Sequence, residues 1–225
     1  MIQGVLFDMD GVLFDTEKLN QELMPRLSRE LGYPMSEAVF NSLLGVNNEM
    51  SRKILADAFG ADYPYDEIMA NSIQTFLRLA QKGELPLKKG VAECMEGLHA
   101  RGLKRALVTS TAREVVESYI AGTAVLQGVF DTIVCGSEAG RSKPAPDIYL
   151  AAAARLGLDP SRCVGVEDSR NGLKSLRSAG CICAMVPDLL PFDESFHGIA
   201  DYVLEDLTKL CPLIDRIDCE ARVRS

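Results

Sequence analysis

The sequence predicts an α/β protein with a mostly parallel sheet, helices on both faces of the sheet, and an inserted helical segment. From residue 86 onward, short apolar runs typical of buried strands alternate with helical patterns. One further strand-like run, at residues 3–7, is separated from the others by residues 17–84, which show only helical patterns. Strands joined by helical crossovers run parallel, so the alternation predicts a parallel sheet.

The predicted elements follow in chain order. Strands are predicted at residues 3–7, 105–109, 131–135, 162–166, 181–186 and 201–204, with helices at 91–101, 112–120, 147–156 and 171–179. The inserted segment has helical patterns at residues 17–31, 49–59 and 67–82, and glycine and proline interrupt it near residue 60 and close it near residue 84. We therefore predict a core from residues 1–16 and 85–225 and an inserted helical domain from residues 17–84.

Composition excludes several classes of protein. Hydrophobic residues make up 47% of the 225 residues, which is typical of a globular chain and not of a disordered one. The longest apolar runs have the length of strands, whereas a membrane-crossing helix needs about 20 apolar residues. The first three residues lack the basic start of a secretory signal, so we expect a cytoplasmic protein without a membrane partner. The net charge of −8 argues against nucleic acid as a partner.

The cysteines and histidines do not form a recognisable site. Seven cysteines, an odd number, lie mostly in apolar runs and lack C-x-x-C spacing, so we expect buried thiols instead of disulfides or a zinc site. The two histidines, His99 and His197, are not near an acidic cluster in the sequence, which disfavours a histidine-based mechanism.

Paired acidic residues follow two of the predicted strands. Asp8 and Asp10 come directly after the first strand, and Glu167 and Asp168 follow the strand at residues 162–166. A D-x-D pair alone is usually a turn or a solvated loop. Two acidic strand ends in one parallel sheet, however, predict a site for a hard cation with oxygen ligands, most simply Mg²⁺.

Residues that suit an anion follow another strand and precede a helix. Thr109 ends a predicted strand, and the backbone N–H of Ser110 lies beside a helix start, where an anion is favoured. Thr111 begins a T-x-x-E pattern and is predicted to cap the next helix. Lys143 precedes Pro144 in a loop before the helix at 147–156 and supplies the positive charge that an acidic anion-binding site needs.

Together these strand ends supply a carboxylate nucleophile, a second carboxylate, a hydroxyl with backbone donors, a lysine and an acidic pair. Ligands of open α/β sheets bind outside the carboxyl ends of the strands. The set suits phosphoryl transfer through an aspartyl-phosphate.

Four ordered motifs resemble those of the haloacid dehalogenase-like hydrolases. They are DMDGVLFDTE at residues 8–17, VTS at 108–110, KPAPDIY at 143–149 and GVEDS at 165–169. The sequence is most similar to the branch of β-phosphoglucomutase and phosphoglycolate phosphatase, in which a helical cap is inserted after the first motif.

The resemblance implies a Rossmann-like core with the first strand at its centre and a mobile cap formed by residues 17–84. It implies that Asp8 is the nucleophile and that Asp10 is the acid that protonates the leaving oxygen and then activates the acceptor. Mg²⁺ would be held by Asp8, the carbonyl of Asp10 and Asp168, with Glu167 in or near its shell. The transferring phosphoryl would be bound by Thr109, Ser110 and Lys143.

The motif in the cap does not identify the substrate. β-Phosphoglucomutases carry a G-V-x-R motif whose arginine binds the distal phosphate, and this sequence has Asn48 in that place. An amide cannot make the bidentate charged contact, although Arg52, one helical turn further on, lies within reach of the same face. Asn48 is also a plausible helix cap.

Three functions are compatible with these residues. We favour a Mg²⁺-dependent phosphatase of small phosphomonoesters, acting as a monomer or weak dimer on a small phosphorylated metabolite such as a sugar phosphate. The alternative is a phosphohexomutase, in which the phosphoryl group returns to another hydroxyl of the sugar. A receiver-like signalling module is a third hypothesis, but it needs neither Asp10 nor an inserted cap.

Overall fold

A six-stranded parallel sheet forms the centre of the protein. The computed structural model describes residues 1–46 and 48–224. The strands are β1 (Gly4–Phe7), β2 (Lys104–Thr109), β3 (Thr132–Cys135), β4 (Cys163–Glu167), β5 (Ile182–Met185) and β6 (Tyr202–Val203). Their order in the sheet is β3-β2-β1-β4-β5-β6, and each neighbouring pair is parallel. This confirms the predicted fold class and the central position of the first strand.

Helices occupy both faces of the sheet and the inserted segment. They are α1 (Thr16–Glu30), α2 (Glu37–Asn41), α3 (Asn48–Phe59), α4 (Tyr65–Gln81), α5 (Val91–Ala100), α6 (Arg113–Ala121), α7 (Asp147–Leu156), α8 (Arg170–Ala179) and α9 (Leu210–Arg224). The predicted helices are present with small shifts at their ends, whereas α2 and α9 were not predicted. Helix α2 is short and buries only Phe40, so it lacks a periodic apolar pattern.

Alternating side chains of the central strand face two separate hydrophobic clusters. Val5 and Phe7 of β1 belong to a cluster that includes residues of α5, α6 and α9. Leu6 points to the other face and joins a cluster with residues of α7 and α8. Because both faces are covered, β1 is a continuous apolar run with no polar alternation, which is why its sequence predicts a buried parallel strand.

The inserted helices have a small hydrophobic cluster of their own. Met24, Phe40, Leu55 and Ile68 are buried in it, one from each of α1 to α4. Other residues of α1 and α4, such as Phe76, pack into the cluster beneath the sheet, so the inserted helices are also anchored to the core. The division into domains at residues 17–84, and the mobility of the inserted part, remain predictions.

Two further expectations concern membrane-crossing helices and the cysteine thiols. Among the helices that the structure describes, none combines the length and the apolar character needed to cross a membrane. The seven cysteines are free; five are buried as expected, while Cys211 is half-buried and Cys219 is exposed.

Gly122 provides a test of the contact between the inserted helices and the core. It follows α6, and an added Cβ would lie 1.9 Å from the backbone carbonyl oxygen of Ala80 in α4. Because backbone cannot move aside cheaply, Gly122→Ala should lower the free energy of unfolding by about 1–3 kcal/mol and the melting temperature by several degrees. Ala121→Ser, at the exposed end of the same helix, is the control. Equal melting temperatures for the two variants would show that α4 and α6 do not touch in solution.

Candidate active site

The carboxyl ends of β1, β2 and β4 open into one cleft. Phe7 of β1 pairs with Leu107 of β2 on one side and Val166 of β4 on the other, so the residues that follow these strands meet at one edge of the sheet. The cleft has a volume of about 490 Å³. Its lining includes six of the residues predicted for the core site: Asp8, Asp10, Thr109, Ser110, Lys143 and Asp168. The seventh, Glu167, lies beneath it and is fully buried.

Lys143 joins the first motif to the fourth. Its Nζ donates to Asp8 Oδ1 and lies 2.7 Å from Glu167 Oε1. Burial disfavours the charge on Lys143, but the two carboxylates outweigh it and raise the pKa of the lysine, which therefore stays protonated. Since the carboxylates lie 135 and 24 residues from Lys143 in the chain, only the fold brings the three together.

Glu167 positions its neighbours through both of its oxygens. Oε1 accepts hydrogen bonds from Lys143 and from the hydroxyl of Tyr149 at 2.5 Å, and Oε2 accepts from the hydroxyl of Ser169 at 3.0 Å. Ser169 also caps α8, accepting from the backbone N–H of Gly172 at 3.1 Å. The acceptors of Glu167 are thus engaged by protein donors, which favours a supporting position behind the ion over direct ligation.

The acidic cluster has the oxygen ligands that a hard cation prefers. Carboxylate oxygens of Asp8, Glu167 and Asp168 lie within 4.8 Å of one another. Burial raises the pKa of Asp8 well above its usual range, against the effect of Lys143, and burial and the neighbouring carboxylates do the same for Asp168. A cation among these oxygens would stabilise the ionised carboxylates, so the residues fit Mg²⁺.

Gly11 allows Asp168 to approach the first motif. Its φ of 78° is in the left-handed region, and an added Cβ would lie 2.4 Å from Asp168 Oδ2. A larger residue at this turn would push the carboxylate away from Asp8.

Asp10 has different partners from Asp8. Its two oxygens accept hydrogen bonds from the hydroxyls of Thr16 at 2.7 Å and Thr111 at 2.8 Å. Burial raises the pKa of Asp10 despite these bonds. The predicted capping role of Thr111 is wrong: the residue before α6 is Ala112, and the Thr111 hydroxyl donates to Asp10 instead. The T-x-x-E pattern missed this because the partner is 101 residues away.

Thr109 is buried at the floor of the cleft, where its hydroxyl accepts a hydrogen bond of 3.0 Å from the backbone N–H of Thr111. Ser110 lines the cleft and is exposed to it. Both positions suit contacts with a small anion.

The two residues predicted in the inserted segment have different surroundings. Asn48 is the first residue of α3 and lines the cleft, and its Oδ1 accepts a hydrogen bond of 3.3 Å from the hydroxyl of Tyr65. Arg52 is not among the described residues that line the cleft. Its guanidinium pairs with Asp66, at 2.8 Å for one of the two contacts, and stacks on the Tyr65 ring.

Two residues that line the cleft and one buried beside it have contacts that the sequence did not predict. Glu17, in the first turn of α1, and Asn171, in the first turn of α8, both line it, and Asn171 Nδ2 donates to the carbonyl of Gly45 at 3.1 Å. Tyr149 supports Glu167 from below. Tyr149 and Glu17 lie within the quoted motifs, but only the fold shows what they touch.

The fold and the site together define an α/β enzyme with a buried carboxylate–lysine pair at the end of its central strand. A family model, described as haloacid dehalogenase-like hydrolase, matches residues 2–180. The chain belongs to this family.

Relatives from several bacteria extend the match. The chain is 31% identical to "Protein CbbY" of Rhodobacter capsulatus over 92% of its own length and 94% of that protein. It is 32% identical to a "Phosphorylated carbohydrates phosphatase" of Thermotoga maritima, over 80% and 82% of the two chains. A solved structure of a CbbY variant from Rhodobacter sphaeroides with xylulose 1,5-bisphosphate covers 93% of this chain and 96% of its own, with a TM-score of 0.78 at 28% identity. The family and its phosphatases support assignment as a phosphoric monoester hydrolase.

The surroundings of Glu17 predict how the stability of the protein depends on pH. Burial, with contributions from Asp10 and Asp188, raises the pKa of Glu17 from 4.5 to about 7. The folded chain therefore binds this proton more tightly than the unfolded chain, so the contribution of Glu17 to stability falls as pH rises from 4.5 to about 7. For the metal-free protein, Glu17→Gln should raise the melting temperature by several degrees at about pH 8 and by little at about pH 5.

The matched control is Glu22→Gln, at an exposed position of the same helix, which should change neither value. A Glu17→Gln protein with the same melting temperature as the wild type at both pH values would contradict the raised pKa.

Proposed function

We propose that this hydrolase is a Mg²⁺-dependent phosphatase that removes the phosphate from small sugar monophosphates through an aspartyl-phosphate on Asp8. The observation that carries the proposal is the position of Asp8. It lies at the floor of the cleft, in contact with Lys143, and with oxygens of Glu167 and Asp168 within 4.8 Å.

Asp8 is the nucleophile of the proposed reaction. An oxygen of its carboxylate forms a bond to phosphorus while the bond from phosphorus to the ester oxygen breaks. Lys143 offsets the repulsion between the carboxylate and the incoming phosphate, because its charge is fixed at Asp8 before the substrate arrives. Thr109, also at the floor of the cleft, and Ser110 bind the phosphoryl oxygens.

Asp10 moves the proton. The leaving alcohol oxygen takes a proton from Asp10, and Asp10 then takes one from the water that attacks the aspartyl-phosphate and releases inorganic phosphate. The raised pKa of Asp10, caused by burial, supports the protonated form that the first step needs. Thr16 and Thr111 hold its carboxyl group in place.

The Mg²⁺ site is part of the proposal. Asp8, Asp168 and the backbone carbonyl of Asp10 would hold the ion, with Glu167 behind them. When bound, Mg²⁺ neutralises negative charge on the transferring phosphoryl group.

The outer part of the cleft supports a substrate with one phosphate. Lys143 is the only cationic residue among the described residues that line it. The rest of the lining combines apolar side chains with groups that bond hydroxyls: Leu43, Leu44, Val46, Leu189 and Leu190, together with Glu17, Asn48, Glu49 and Asn171. The acidic residues would repel a second phosphate, whereas carboxylates and amides suit the hydroxyls of a sugar. The carbohydrate phosphatase among the relatives agrees with a phosphorylated sugar as the substrate, although the sugar in the CbbY variant structure carries two phosphates.

The phosphohexomutase remains the alternative. Its intermediate carries a second phosphate, and binding that phosphate would need a cation in the cap. The arginine nearest to that position, Arg52, is paired with Asp66. This favours transfer of the phosphoryl group to water over transfer to a sugar hydroxyl.

Asp8→Asn tests the nucleophile. The amide has the size of the carboxylate but does not attack phosphorus, so kcat for phosphate release should fall by at least about a thousandfold with an unchanged circular dichroism spectrum. Asp57→Asn, which alters an exposed carboxylate of α3, should retain full activity. Substantial turnover by the Asp8→Asn protein would assign the nucleophile elsewhere.

A substrate panel tests the activity itself. Sugar monophosphates should release inorganic phosphate with Mg²⁺ and not after EDTA treatment, and each should be preferred over its bisphosphate. Turnover that survives EDTA would refute the metal site. Glucose 1-phosphate with a trace of glucose 1,6-bisphosphate separates the two functions: rapid formation of glucose 6-phosphate with little free phosphate would replace the phosphatase by the mutase.

A further inference from the structure

Asp188 is an acidic residue close to the proposed metal site that belongs to none of the four motifs. It lies in the loop after β5, and its side chain is only 7% exposed. Oδ1 accepts a hydrogen bond of 2.5 Å from Lys88 Nζ. Oδ2 is buried and, among the residues that the structure describes, has no hydrogen-bond partner. A buried carboxylate oxygen without a donor is costly, so it calls for a ligand.

The unpartnered oxygen lies near Asp168, one member of the acidic cluster. The point occupied by an added Cβ at Gly11 would lie 2.4 Å from Asp168 Oδ2 and 3.1 Å from Asp188 Oδ2, so both oxygens approach the same place beside the first motif. The oxygens of the compact acidic cluster, however, come from Asp8, Glu167 and Asp168 and not from Asp188. Asp188 is therefore close to Asp168 but is not one of the carboxylates that converge in the cluster.

We propose that Asp188 is a positioning residue of the Mg²⁺ site, whose Oδ2 accepts a hydrogen bond from water in the hydration shell of the ion. Mg²⁺ gives up its water reluctantly, and the protons of the water that it keeps need acceptors. The free oxygen of Asp188 is such an acceptor on the side of Asp168. This inference rests on the metal site of the proposed function.

Lys88 affects how strongly Asp188 attracts a cation. Its Nζ also lies 3.3 Å from Asp15, just before α1, so one half-buried lysine contacts two carboxylates. The lysine binds Asp188 Oδ1 and leaves Oδ2 without a donor among the described residues, and its charge partly cancels the attraction of Asp188 for a cation. The two residues therefore have opposite effects on the affinity for Mg²⁺.

The test is the dissociation constant of Mg²⁺, measured by calorimetry on the full-length, metal-free protein without substrate. Asp188→Asn should weaken binding about 10- to 100-fold, the usual effect of removing a group that orients a metal's ligands. Lys88→Met should leave the affinity unchanged or tighten it severalfold, because it removes a competing positive charge. Asp62→Asn changes the net charge equally at an exposed site and should have no effect.

The opposite effects of the two substitutions on Mg²⁺ affinity distinguish this inference from a purely structural ion pair. If Asp188 only paired with Lys88 to stabilise the fold, both substitutions would weaken binding alike, and that result would overturn the inference. Equal affinity of wild type and Asp188→Asn would overturn it too. If Asp188→Asn does not fold, the Lys88→Met protein still decides: weaker Mg²⁺ binding contradicts the inference. A wild-type protein that binds no Mg²⁺ would refute the metal site of the proposed function instead.

Discussion

The buried contact between Lys143 and two carboxylates is the interaction on which the rest of the site depends. Burying Asp8 or Glu167 without a counter-charge would be strongly unfavourable, and the lysine stabilises both charges at once. One positive charge does not balance the acidic groups that converge here, since Asp10 and Asp168 lie in the same cleft. The excess negative charge at the floor of the cleft makes a cation beside the lysine favourable, and in the function we propose that cation would offset the charge of a phosphate dianion.

The topology explains why these residues meet. In a parallel sheet with the first strand at its centre, the residues after β1 have the ends of β2 and β4 as direct neighbours. The nucleophile, the anion-binding hydroxyl and the metal-binding acid that we propose thus follow three adjacent strands of the sheet, although they are far apart in the chain. The central position of β1 is therefore a functional constraint as well as a packing one.

The sequence predicted what depends on local patterns and failed where a partner is distant. The strands were found because runs such as that of β1 are apolar throughout. Most core residues of the site were found because they end or follow such a run, and Lys143 was found from its loop before a predicted helix. Thr111 was assigned to a local cap, although its hydroxyl bonds Asp10. The contact of Arg52 with Asp66 depends on the packing of α3 and α4. Asp188 carries no motif, and only the fold brings its carboxylate beside Gly11. Helix α9 follows the last predicted strand and was missed altogether.

Asp8 and Asp10 are two residues apart, and their different partners account for the different roles we propose. The charge of Lys143 favours the ionised form of Asp8, as a nucleophile requires, although burial raises the pKa of this carboxyl in the metal-free protein. Asp10 has only neutral hydroxyls as hydrogen-bond partners. Of these hydroxyls, that of Thr16 belongs to the first residue of α1 and that of Thr111 to the core. Each bond favours the ionised form of Asp10, so a displacement of α1 that broke the bond from Thr16 would raise the pKa of Asp10 further. The proton affinity of the proposed acid is in this way tied to the position of the inserted helices.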